Sequence, residues 1–194
     1  MTSDYRSLPP DLPAPVDDGA ADHLAGMPVP AVRLPSTQGG AIDLAAAAAG
    51  SGRVVVYVYP RTGTPGEPLI EGWDDIPGAR GCTPQSCAFR DSVSAFAEHG
   101  ATLLGISTQA PEDQAEFAAR ERIPYPLLSD ERLALARELR LPTFEAGGLT
   151  HYRRLTFVAR EERIEHVFYP VFPPDRNAAD VLAWLEAAPP AGAA

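Results

Sequence analysis

The chain of 194 residues contains no lysine; all 16 of its basic side chains are arginine. A Schiff base, a Walker A lysine and a Ser–Lys pair are thereby excluded. Basic charge is also scarce beside acidic charge: 16 against 26, a formal net of −10. That balance argues against nucleic acid or an anionic membrane as a partner, because both need a cationic footprint. Cysteine occurs only as Cys82 and Cys87. Two cysteines do not by themselves make a four-ligand zinc site or a disulfide-dense secreted scaffold. No run approaches the roughly 18 apolar residues of a membrane span; Leu44 to Ala49 is the longest suggestive one. The acidic, proline-broken opening lacks the basic and apolar regions of a signal peptide, so a cytoplasmic location is expected. His23, His99, His151 and His166 are scattered without metal-ligand spacing, and the glycine pairs match no phosphate loop. Neither metal nor organic cofactor is expected.

What is present suits one globular domain: 45% hydrophobic and 22% charged residues over a length that can bury a core. Residues 1–26 are rich in proline and read as an irregular arm. Pro28 to Leu34 reads as an edge strand. Asp43 is placed to cap a short helix from Leu44 to Ala49. Arg53 to Tyr59 is the strongest strand, β-branched and aromatic without polar alternation, as in a sheet covered on both faces. A glycine- and proline-rich stretch follows, from Arg61 to Gly81.

Pro84 to His99 reads as one helix with Ala88, Phe89, Val93 and Phe96 inward, and Thr102 to Ser107 as a second buried strand. Glu112 to Arg122 reads as a helix packed on the sheet through Ala115, Ala118 and Ala119. Tyr125 to Ser129 is a short strand and Asp130 to Leu139 a helix. Arg154–Ala159 and Arg163–Phe168 form a hairpin, and Asn177 to Ala188 is the last helix. Residues 189–194 read as a flexible tail. Helices alternating with buried strands predict an α/β fold of thioredoxin-like type, three layers (α/β/α) around a central mixed sheet.

Gly81-Cys82-Thr83-Pro84-Gln85-Ser86-Cys87 opens a helix, with Pro84 in its first turn. Cys82 therefore meets unpaired backbone N–H groups and the positive dipole end, a setting that favours a nucleophilic thiolate. Five residues of helix put the Cα atoms of Cys82 and Cys87 about 8.6 Å apart. A disulfide needs roughly 4.4–6.8 Å. A redox-active pair would thus have to unwind the first turns in every cycle. On the residues alone, two buried thiols packed as small hydrophobes remain the other reading.

Residues 81–91, Gly-Cys-Thr-Pro-Gln-Ser-Cys-Ala-Phe-Arg-Asp, resemble the active-site segment of peroxiredoxins, in particular of the bacterioferritin comigratory protein / PrxQ branch. Val54–Pro60, Leu104–Ser107, Tyr125–Asp130, Arg154–Phe157 and Ile164–Val167 match further family motifs in order, so the resemblance spans residues 26 to 186. It implies a thiol-dependent peroxidase that reduces hydrogen peroxide or organic hydroperoxides. Cys82 would attack the peroxide and become a sulfenic acid. Cys87 would condense with it to a disulfide, recycled by a thioredoxin or similar dithiol. By the same resemblance Arg154 holds the thiolate and the peroxide oxygens, Pro60 shields the sulfur, and Thr64 hydrogen-bonds the peroxide. The branch contains monomers and homodimers. A thioredoxin-fold thiol–disulfide exchanger, or a non-enzymatic redox sensor or interaction module, are the alternative functions.

The chain departs from the family in one place. Pro60-Arg61-Thr62-Gly63-Thr64-Pro65-Gly66 is the start of the family motif, but Glu67 stands where the cysteine is expected. Glu67 to Gly81 reads as a 15-residue insertion in a domain of residues 27–188. Thr64 can serve Cys82 only if this segment loops out and its ends meet; otherwise Thr83 takes its place. The insertion, with Leu69, Ile70 and Trp73 beside four acids, is either a lid or interface patch, or a packed surface loop. Gln85 replaces the glutamate usual at its position.

Overall fold

A computed structural model describes residues 5–188; the tail expected at 189–194 lies outside the described residues. The centre is β3 (Arg53–Val58), buried at every position. Val54, Val56 and Val58 enter one core, and Val55 and Tyr57 the other, on opposite faces of the sheet. β4 (Ala101–Ser107) pairs parallel to β3, and β5 (Leu127–Ser129) parallel to β4. On the other side β8 (Leu155–Arg160) pairs antiparallel to β3, and β9 (Arg163–Phe168) antiparallel to β8. The five strands lie in the order β5-β4-β3-β8-β9, a mixed sheet of the expected kind.

One face is covered by α1 (Leu44–Ala48) and α5 (Ala134–Leu139), which contribute Leu44, Ala48, Leu135 and Leu139. The other is covered by α2 (Cys82–Asp91), α3 (Val93–Glu98), α4 (Pro111–Glu121) and α6 (Asn177–Ala187), through Phe89, Phe96, Phe117 and Val181. Two small sheets lie outside: β1 (Arg33–Pro35) with β2 (Ala41–Asp43), and β6 (Thr143–Ala146) with β7 (Leu149–Tyr152).

Several local expectations need correction. The helix expected from Pro84 to His99 breaks at Ser92, whose backbone leaves the helical region (φ −104°, ψ 5°). Of the three alanines of α4 only Ala118 packs against the core; Ala115 and Ala119 are exposed, and Gln114 and Phe117 are buried. The helix expected from Asp130 starts only at Ala134, because Asp130 caps it from outside. Its Oδ1 accepts from the Ala134 N–H at 2.7 Å and its Oδ2 from the Ala136 N–H at 3.1 Å. The first edge strand is shorter than expected, with Pro28 only bridging to Arg163. The β6–β7 hairpin was not foreseen; Gly147 and Gly148, both at positive φ, make its turn. The capping role of Asp43 holds, its Oδ1 accepting from the Ala46 N–H at 3.1 Å.

Candidate active site

Cys82 is the first residue of α2, directly after Gly81 at φ 100°. Only glycine takes that backbone easily, and a side chain there would collide with Pro174. The cysteine is 3% exposed. Its sulfur stands 3.2 Å from Arg154 Nη2. Arg154, at the entry to β8, is itself 3% exposed. The guanidinium donates to the carbonyls of Gly78 (3.3 Å), Ala79 (3.2 Å) and Arg80 (3.1 Å), which wrap it with the end of the inserted segment. It also donates to Gln85 Oε1.

No carboxylate contacts Arg154 among the described residues. An uncompensated buried cation is costly. Among its contacts the Cys82 sulfur is the one group able to carry a negative charge. Gln85 is held by α6: its Nε2 donates to Asn177 Oδ1 at 2.9 Å, and Thr156 Oγ1 donates to the same oxygen at 2.6 Å. With its amide nitrogen committed there, the Gln85 oxygen faces Arg154. All three of these side chains are buried.

In front of Cys82 lies a pocket of about 90 Å³. Thr64, Thr83 and Cys82 line it together, so the two ends of segment 67–81 lie close to one another. Thr64 is half-buried and Thr83 buried. Pro60 is buried at the end of β3 and does not line the pocket; its carbonyl accepts from Ser107 Oγ at 2.9 Å. The insertion supplies an apolar wall of Pro68, Leu69, Ile70 and Trp73. Trp73 heads a short 3₁₀ turn (Trp73–Asp75) and is 4% exposed. Its ring packs against Phe144 at 5.8 Å and His151 at 5.1 Å, which fixes the insertion to the β6–β7 hairpin.

The N-terminal arm closes the other side of the pocket. The Tyr5 ring lies over Gly63, where any side chain would collide with it, and its hydroxyl donates to the Glu67 carbonyl at 2.7 Å. Arg80 lies over the same ring, 5.5 Å from its centroid. Nothing in the sequence flags Tyr5, because 62 residues separate it from Glu67.

Cys87 sits on the same intact helix and both thiols are free. It is half-buried and opens on a separate cleft of about 500 Å³, lined also by Arg6, Arg90, Arg120, Glu121 and Arg122. The Cys87 thiol donates to Glu121 Oε2 at 3.8 Å, and that carboxylate is paired with Arg6 (3.2 Å) and Arg120 (2.8 Å). Burial pushes the Cys87 thiol up, Arg90 opposes this, and Glu121 adds to the rise. Arg120 reaches both thiol sites, since its Nη2 donates to the Gly63 carbonyl at 2.9 Å. Neither Glu121 nor Arg120 carries a motif that the sequence would reveal.

The Redoxin family profile matches residues 24–182. A chloroplastic peroxiredoxin Q of Gentiana triflora is 35% identical over 136 residues, covering 70% of this chain and 55% of the relative. A putative peroxiredoxin of Mycobacterium tuberculosis is 36% identical over 137 residues, covering 70% of this chain and 79% of the relative. The chain thus spans about half the length of the plant relatives it matches. Among solved structures, peroxidoxin BcpB from Mycobacterium tuberculosis superposes with a TM-score of 0.68 at 32% identity, over 85% of this chain and 97% of that one. Peroxiredoxin Q of Xanthomonas campestris shares the fold, with a TM-score of 0.62 at 22% identity over 91% and 98% of the two chains.

Proposed function

The chain belongs to the Redoxin family, among its peroxiredoxin Q-like members, and on that premise we propose that it is a thiol-dependent peroxidase in which Cys82 reduces the peroxide and Cys87 resolves the product. The observation that carries this reading is the 3.2 Å contact between Arg154 Nη2 and Cys82 Sγ, made by a buried guanidinium that meets no carboxylate among the described residues. A thiolate at Cys82 offsets the buried charge and is the nucleophilic form of the residue. It attacks one peroxide oxygen; the O–O bond breaks, the alcohol or water departs with a proton, and Cys82 is left as the sulfenic acid. Arg154, with Thr64 at the pocket wall, supports the negative charge that develops on the leaving oxygen.

Residues 27–188 form the peroxidase domain, with 67–81 as its inserted segment. The pocket suits organic hydroperoxides as well as hydrogen peroxide. A water takes roughly 10–15 Å³ of such space, so a two-oxygen molecule fills a minor part of the 90 Å³. The remaining wall is the apolar one that the insertion supplies. Cys87, the more exposed sulfur, is where a thioredoxin-like dithiol would attack the disulfide, and Cys82 would leave as a thiolate facing Arg154. The four arginines lining that cleft suit a reductant with acidic groups around its own thiols. Such a cycle fits the reducing thiol pool of a cytoplasm.

Trapping tests the assignment. The Cys87→Ser protein is treated with one equivalent of hydrogen peroxide and then dimedone, and the labelled residue is located by mass spectrometry. Label on Cys82 is expected; an unlabelled Cys82 contradicts the proposal.

A further inference from the structure

Two buried tyrosines grip α2 at Ser86, between the two cysteines. Tyr57 on β3 is fully buried and Tyr125, just before β5, is 5% exposed. The Tyr57 hydroxyl lies 3.1 Å from Ser86 Oγ and 3.1 Å from the Tyr125 hydroxyl. Tyr125 in turn donates to the Ser86 carbonyl at 2.9 Å. The contacts form a closed loop that starts and ends on Ser86, and three hydroxyl protons are available for its three bonds. Burial pushes both phenols up, so each keeps its proton at neutral pH. The Tyr57 ring is fixed between Phe89 (centroids 4.5 Å apart) and Tyr59 (5.4 Å). Gly105 on β4 leaves room for it: a side chain there would stand 2.6 Å from the Tyr57 hydroxyl.

The residues before Ser86 are held differently. Cys82 is held by Arg154 through a contact that a thiolate strengthens, and Gln85 is held by Arg154 and Asn177. Once Cys82 is a neutral sulfenic acid, the guanidinium no longer faces an anion, whereas the tyrosine loop is untouched by oxidation. Disulfide formation must bring Cα atoms about 8.6 Å apart to within about 6.8 Å. Four freed residues, 82–85, can span about 14 Å when extended. Unwinding beyond Ser86 is therefore unnecessary.

We propose that Tyr57 and Tyr125 are positioning residues for the disulfide-forming step: they hold α2 from Ser86 onward, so that Cys82 travels and Cys87 stays in place. The proposal rests on the peroxidase reading. In the step itself the Cys87 sulfur attacks the sulfur of the Cys82 sulfenic acid. The S–S bond forms, the S–O bond breaks, and the hydroxyl leaves as water with the proton of the Cys87 thiol.

Hydrogen exchange on the full chain, reduced and disulfide-bonded, tests it, together with stopped-flow rates for Tyr125→Phe. In the disulfide form of the unaltered protein, protection is expected to be lost at residues 85–89, whose N–H groups donate to the carbonyls of 81–85, and kept at 90 and 91, which donate to Ser86 and Cys87. In Tyr125→Phe the disulfide form should also lose protection at 90 and 91, at least 10-fold. Its disulfide formation after one equivalent of peroxide should slow at least fivefold, with more sulfinic acid at excess peroxide, and peroxide consumption by Cys82 should stay within twofold. Loss of protection through residue 91 in the unaltered protein, or slowing by less than fivefold, overturns the proposal. Tyr57→Phe serves in the same way if Tyr125→Phe does not fold. If the reduced protein consumes no peroxide, it is the peroxidase reading that fails. The disulfide made with diamide then still reports which segment unwinds.

Discussion

Arg154 and Cys82 form a buried pair whose guanidinium meets the sulfur at 3.2 Å and, among the described residues, no carboxylate. Removing the arginine should therefore disable the nucleophile rather than merely loosen a loop. We expect Arg154→Ala to slow the reaction of Cys82 with hydrogen peroxide by roughly 10²–10³-fold, the range for loss of one preorganised donor at a developing charge. Arg154→Lys should recover only part of it, because an ammonium does not reproduce the planar fork that binds three carbonyls, Gln85 and the sulfur together. Stopped-flow peroxide consumption measures both.

Asn177 is expected to matter at a distance from the peroxide. It accepts from Gln85 and from Thr156, all of them buried. Asn177→Ala strands two donors, each costing about 1–3 kcal/mol. Chemical denaturation should show a loss of about 2–6 kcal/mol in all, and peroxide reactivity should fall because Gln85 is free to rotate away from Arg154.

The insertion should separate substrates. Ile70 lines the pocket and packs against Gly147, where a side chain would lie 3.2 Å from it. Ile70→Ala is expected to lower kcat/KM for cumene hydroperoxide several-fold more than for hydrogen peroxide, since burying each methylene is worth about 0.8 kcal/mol. Equal losses on the two substrates would speak against an apolar wall that selects.

Disulfide formation should depend on pH through Cys87. Burial, reinforced by Glu121, holds this thiol above the ordinary thiol range, with Arg90 opposing. The thiolate is the attacking form, so the rate of disulfide formation should keep rising as pH passes the ordinary thiol value of about 8.5. Glu121→Gln removes one cause of the rise and should move the profile to lower pH. Disulfide formation followed by tryptophan fluorescence across pH 6 to 10 checks the direction.

Much of this was legible because local signals and fold agree. The unbroken apolar run of β3 announced a strand covered on both faces, and Pro84 marked the first turn of the helix that Cys82 opens. For α4 the small size of alanine does not fix orientation: Ala118 packs inward, Ala115 and Ala119 face out, and the helix buries Gln114 and Phe117. The break at Ser92 carries no proline or glycine to announce it. The arm residue Tyr5, the Arg6–Glu121 pair and the Ser86 loop depend on contacts across 29 to 115 residues. No periodicity in a sequence encodes such contacts.

The most direct test of the account is peroxide turnover by the reduced full chain with thioredoxin and its reductase, followed through NADPH oxidation. The account predicts sustained turnover for the unaltered protein, none for Cys82→Ser, and for Cys87→Ser a single equivalent of peroxide consumed before the reaction stops. Turnover that survives in Cys82→Ser would contradict it.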